Sequence, residues 1–234
     1  MPARTASAVA VFLALLALAG CRAPLPQPSA PGAPATGPVE GAVLYGVDAA
    51  ASQVLIRVYR DGPLASLGHN HVIAVHGLRG RVQSDARGER ASFELQFDVA
   101  DLGVDEPTLR AAEGPDFTSS IGEAQREGTR NNMLGERLLD ATRNRAITLQ
   151  SVGIVASGAG FIARTRVIVR GREALLSVPV SLQRDADRLM VSGEFSLRHS
   201  ELGLTPYSVA LGALRVADEM RIRYRIVARR VALP

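Results

Sequence analysis

The stretch SLGHNHVIAVHG, residues 66–77, holds three of the chain's four histidines. Imidazole binds transition metals, moves protons near neutral pH and pairs with polar head groups. His69 and His71 are two apart, so on a strand they share a face and lie about 7 Å apart at Cα. That spacing suits two ligands on one metal. His76 falls on the opposite face. His199 closes the apolar face of a later strand and can meet the pair, so a His69–His71–His199 set is chemically reasonable for zinc or copper. Two other readings fit the same residues: ordinary strand histidines, or polar contacts to a ligand. Periodicity does not choose between faces. Ile73 and Val75 continue the His71 side, Asn70, Val72, Ala74, His76 and Leu78 make the other, and neither is wetter.

Catalytic patterns are missing. The chain has no G-x-S-x-G elbow, no H-E-x-x-H and no glycine-rich phosphate loop, and nothing ties a serine or an aspartate to a histidine. No enzyme is expected. A single cysteine, Cys21, excludes an intramolecular disulfide and a Cys-based zinc site. The net charge of +4 is carried by arginine alone, since the chain has no lysine. This modest excess assigns no partner, and export argues against nucleic acid.

Export is read from the start of the chain. Arg4 precedes an apolar run from Ala8 to Ala19, shorter than the roughly 20 residues of a permanent membrane helix. The exit, Leu18-Ala19-Gly20-Cys21, resembles the bacterial lipobox. Residues 1–20 are therefore expected to be a lipoprotein signal peptide and Cys21 the lipidated first residue of the mature chain. By the lipoprotein sorting rule, Arg22 after the cysteine points to the periplasmic face of the outer membrane in a Gram-negative host. Residues 21–40 are rich in Pro and Ala, with almost no charge, and read as an extended tether. At about 3 Å per residue it reaches up to about 50 Å. Residues 41–234 remain for one folded domain.

That domain must supply the elements that position the histidines, and its patterning is mostly period two. Phe93, Leu95, Phe97 and Val99 share one face of ASFELQFDVADL, and Met220, Ile222, Tyr224 and Ile226 alternate with Arg221, Arg223 and Arg225. Leu189, Val191, Phe195, Leu197 and His199 share a face of RLMVSGEFSLRH. QVLIRVYR, AITLQSVGIV, GFIARTRVIVRG and ALLSVPVSLQR supply further strands. Turn signals separate them, at Asp61-Gly62-Pro63, Ala86-Arg87-Gly88, Ser157-Gly158-Ala159-Gly160, Arg170-Gly171-Arg172 and Asp185-Ala186-Asp187. Residues 107–140 are helix-compatible with glycine interruptions and predict one or two short helices over an end or edge of the sheet.

The order of elements resembles the YceI-like family of exported lipid-binding proteins. LYGVDAAASQVLIRVYR is similar to its opening strand pair, RNNMLGERLLDATRNRAITLQS to its helix-to-strand segment, RVIVRGREALLSVPVSL to its paired strands about an Arg-Gly turn, and GEFSLRHSELGL to its late strand. The resemblance covers residues 43–231, and the order of the four stretches carries it. It implies an all-β, lipocalin-like antiparallel barrel of about eight strands with one or two short helices. It also implies an apolar cavity holding a polyisoprenoid, of the quinone or polyprenyl type. The expected cavity lining is Phe93, Leu95, Phe97, Val191, Phe195, Leu197, His199, Met220, Ile222 and Tyr224. Two stretches depart from the family, DGPLASLGHNHVIAVHG between the first strands and an insertion near 107–128, and both are expected near the barrel mouth.

The expected function is that of a membrane-anchored envelope carrier or sequestering protein for an amphipathic lipid. Its partners are then the lipid and the membrane that holds Cys21, with no resident cofactor and no metal. The alternatives are a metal-binding envelope protein using His69, His71 and His199, and a non-catalytic interaction module.

Overall fold

The computed structural model describes residues 41–85 and 90–231. The expected signal peptide, Cys21, the tether and the Ala86-Arg87-Gly88 turn lie outside the described residues. Among the described residues, twelve strands and two α-helices follow in chain order. They are β1 (Val43–Val47), β2 (Gln53–Asp61), β3 (His71–Val75), β4 (Arg79–Ser84), β5 (Ala91–Asp98), β6 (Leu102–Val104), α1 (Pro107–Ala111) and α2 (Glu123–Leu134). Then come β7 (Ala146–Ser157), β8 (Gly160–Val169), β9 (Arg172–Arg184), β10 (Arg188–Arg198), β11 (Ser208–Val209) and β12 (Leu214–Arg230).

Eight strands close on themselves in the order β1-β4-β5-β7-β8-β9-β10-β12, and β12 returns to β1. Every pairing is antiparallel, and the result is the expected lipocalin-like barrel. Strand β12 is its hinge post. It pairs β10 over eleven residues, from Arg188 opposite Arg229 to Arg198 opposite Glu219. On its other flank it pairs β1 near its C-terminus and β2 near its N-terminus, with a register shift between Val216 and Met220. Strands β1 and β2, expected as a pair, thus lie one after the other along β12. The alternation of β12 explains its place: Met220, Ile222, Tyr224 and Ile226 face inward and the arginines face out.

The stretch 62–77, expected near the barrel mouth, combines a loop with a strand. It contains β3, which pairs with β2 and then with the short β6. Both faces of β3 are covered. Ile73 and Val75 belong to the barrel core, while Val72 and Ala74 pack with Leu55 and Phe117 in a second cluster outside it. Residues 105–121 provide that outer cover, so this part of the insertion lies on the outer face of β2 and β3, beside the mouth residues Asn70 and His71. Helix α2 behaves as expected of a segment at the barrel end, with Met133 and Leu134 packed on the core.

The two ends of the barrel differ. At the floor, Arg184 donates to the Tyr45 hydroxyl (3.0 Å), Ser84 Oγ (2.8 Å) and the Asp85 carbonyl (2.6 Å). Its guanidinium also lies 5.8 Å from the centre of the Tyr45 ring. Tyr45, Leu189 and Ala228 form the small cluster that seals this end. At the mouth lie the loops 62–70 and 199–213, with α2.

Candidate cavity and its polar mouth

Inward side chains of the barrel line a deep chamber of 240 Å³. Phe93, Leu95 and Phe97 reach it from β5, Val191, Phe195 and Leu197 from β10, and Met220, Ile222 and Tyr224 from β12. The inner faces of β2, β7, β8 and β9 complete the wall with Ile56, Ile147, Ala163, Val167 and Val178, which the sequence reading did not single out. Its few hydroxyls are already engaged. Thr165 donates to the Ala163 carbonyl (3.2 Å), Ser84 to the Asp85 carbonyl (3.0 Å) and Tyr224 to the Pro179 carbonyl (2.5 Å). Burial pushes the Tyr224 phenol well above its ordinary value, so it stays a neutral donor. The chamber therefore offers hydrocarbon and almost nothing else.

A second chamber of 270 Å³ lies toward the mouth. The two share Ile56, Phe97, Ile147, Val167, Leu202 and Met220, which form a waist between them. Charged and imidazole side chains border the outer chamber only, His69, His71, His199, Arg60 and Arg215, together with Tyr207, Thr129 and Asn132. The predicted lining residue His199 belongs here and not to the deep chamber. His69, His71 and His199 are thus brought to one chamber, with the His69 and His71 ring centres 6.5 Å apart. Among the described residues no three His, Cys, Asp or Glu side chains are grouped to hold a metal ion. His76 stays outside, exposed and 2.5 Å from Glu106.

The imidazoles are oriented from behind. His71 Nδ1 lies 2.6 Å from Asp105 Oδ2, and Asp105 Oδ1 accepts the Val72 amide (2.9 Å) and Arg110 Nη1 (2.7 Å). Arg110 also donates to the Asn70 carbonyl (2.6 Å) and to Ser119 Oγ (2.9 Å), with its guanidinium 5.6 Å from the centre of the Phe117 ring. Burial raises the Asp105 carboxyl, but the His71 hydrogen bond, the Val72 amide and the charges of His71 and Arg110 outweigh it and hold the group below its ordinary value. An ionised Asp105 fixes the proton on His71 Nδ1 and leaves Nε2 as the free ring nitrogen. His199 is fixed in the same sense, with Nδ1 donating to the Asp218 carbonyl (2.9 Å).

Asp105 and Arg110 were invisible as partners of His71 because 34 and 39 positions of chain separate them from it. The available signal was the Val-Asp-Glu-Pro run at 104–107. It places an acid just before a proline that opens a helix, and Asp105 there adopts a left-handed φ of 48°.

The fold is that of YceI-like proteins. The chain is similar to the crystal structure of Burkholderia cenocepacia BcnA, with a TM-score of 0.57 and 18% identity over 77% of this chain and 98% of that one. It is also similar to the Campylobacter jejuni YceI protein, with a TM-score of 0.51 and 8% identity over 68% of this chain and 85% of that one. No family model and no curated protein matches the sequence.

Proposed function

We propose that the protein is a carrier or sequestering protein for an isoprenoid or similar amphipathic lipid. The tail would occupy the deep chamber and the head group would rest among His69, His71, His199 and Tyr207. The observation that carries this reading is the division of polarity along one cavity: hydrocarbon with only internally engaged hydroxyls from floor to waist, imidazoles and arginines at the mouth. Removing a hydrocarbon tail from water into such a chamber gains about 25 cal/mol per Å². Together the chambers reach the range of about 300–1,000 Å³ usual for small-molecule sites. A neutral Nε2 accepts a hydrogen bond and a protonated one donates, so the mouth suits a hydroxyl, a quinone carbonyl or a phosphate.

In this reading the protein performs no chemical step. It works from the cell envelope, held by acylation of Cys21 at the periplasmic face of the outer membrane. Native mass spectrometry of the protein purified gently from its own envelope tests the cargo. An added organic mass of several hundred daltons, released on denaturation, is expected. A bare chain sinks the carrier reading, and a mass of one zinc or copper lost in His71→Ala replaces it with the metal reading. Cys21→Ser is expected to release the protein from membranes; retention after that substitution removes the anchor.

A further inference from the structure

Two loops beside the cavity mouth expose apolar side chains that the barrel does not use. Leu64 and Leu67 lie on the 62–68 loop, and Val209 and Leu211 on the β11–β12 hairpin; all four are exposed, Leu67 at 70% and Leu211 fully. The loops abut. The Leu64 amide donates to the Ala213 carbonyl (2.8 Å), and a Cβ at Gly62 would lie 2.5 Å from that same oxygen. The four side chains thus sit on one joined crest.

The hairpin holds Leu211 out against its own conformational preference. Ala210 (φ 50°), Leu211 (φ 55°) and Gly212 (φ 91°) are three successive left-handed residues. Hairpin positions of this kind favour Asn and Gly. An alanine and a leucine there accept strain that either of those residues would relieve, and the result is a fully exposed isobutyl group.

We propose that this crest inserts into the interfacial region of a lipid bilayer and seats the cavity mouth on the membrane. Three observations favour a bilayer over other occupants. Residues 60–70 and 203–215 carry only three charges, Arg60, Asp61 and Arg215. Both arginines, with Tyr207, border the outer chamber behind the crest, where arginine and tyrosine suit the head-group level. Four apolar side chains are also too small a patch for a second copy, falling well short of the roughly 800 Å² per partner of a stable protein interface. Docking stands on the loops alone; passage of cargo through the mouth rests on the proposed carrier function.

The chain has no tryptophan, so one introduced tryptophan reports its own surroundings. Leu67→Trp and Leu211→Trp probe the crest. Val155→Trp is the control, on an exposed β7 position near the floor turn at 157–160. The full chain carrying each substitution is mixed with vesicles of phosphatidylcholine and a minor fraction of phosphatidylglycerol. Both crest probes are expected to shift to the blue and to be quenched by brominated phospholipids, while the control does neither. Attachment elsewhere in the chain does not mimic this, because the probe is local. No shift at either crest position overturns the proposal, as does an equal shift in the control. A shift without vesicles that grows with protein concentration overturns it in favour of a second copy. Native mass spectra of the same samples keep the two claims apart: crest insertion without cargo leaves docking standing and removes the carrier function.

Discussion

Asp105 organises the polar end of the cavity. Its side chain is wholly buried, yet it accepts from His71, the Val72 amide and Arg110, whose side chain is itself 6% exposed. Burying such a pair is costly, and hydrogen bonds on every side offset that cost. Removing one partner leaves the other charged and dry. Asp105→Ala is therefore expected to destabilise the fold by about 3–5 kcal/mol at neutral pH, read by urea unfolding. The pH dependence has a definite sign. The folded-state value lies below the ordinary 3.8, so ionised Asp105 contributes fully above that pH. The contribution is lost as pH falls through the folded value, and the gap between wild type and Asp105→Ala must narrow below about pH 3.8. A gap that stays constant into acid would show that the carboxylate is not the stabilising form. A milder variant, Ser119→Ala, removes one acceptor from Arg110 and is expected to cost about 1 kcal/mol by the same measurement.

Among the elements, the seam between β9 and β10 is a place where two long neighbouring strands of the barrel wall stay bonded over only a short stretch. The two strands pair only from Leu189 opposite Arg184 to Ser192 opposite Ser181, although each continues toward the mouth. Just above the last pair, Tyr224 reaches from β12 to the Pro179 carbonyl, and Gly193 lets it pass. A Cβ at Gly193 would lie 2.4 Å from that carbonyl oxygen and 2.8 Å from the Tyr224 hydroxyl. Gly193→Ala should then cost about 1–3 kcal/mol through overpacking. Tyr224→Phe, which leaves the carbonyl without that donor, should cost a similar ~1–3 kcal/mol. Because both act on one contact, the double variant is expected to cost less than the sum, and strict additivity in a thermal-unfolding cycle argues against a shared seam. Elements of this kind also mark the limit of reading a sequence. Strands β5, β10 and β12 were legible, with their inward residues, because one face is dry and the other wet. Strand β3 was legible as a strand but not in its inward face, because Val72 and Ala74 are covered from outside as fully as Ile73 and Val75 are from inside. The outer cover at 105–121 was legible only as a broken helical stretch, since its packing depends on contacts with β2 and β3 that no local pattern encodes. The purpose of Gly193 was not legible, since it needs Pro179 and Tyr224, which are distant in sequence.

At the scale of the molecule, the waist turns one cavity into two compartments that can be altered separately. The deep chamber sees the far end of a tail, and the outer chamber sees the head group. Ala163 lines the deep chamber and is 1% exposed. Ala163→Phe should push into the deep chamber while keeping its wall apolar, at an overpacking cost of about 1–3 kcal/mol. The accepted tail should shorten, and among lipids offered in mixture the longer chains should be lost first. His71→Gln acts at the other end. It removes the Asp105-oriented imidazole without filling the chamber, so head-group preference should change while tail length does not. Extraction and mass analysis of lipids bound to the two variants separates these effects. If Ala163→Phe alters head-group choice, or His71→Gln alters tail length, the ligand does not lie along the axis from mouth to floor. If each variant moves only its own property, the tail lies below the waist and the head group beside the histidines.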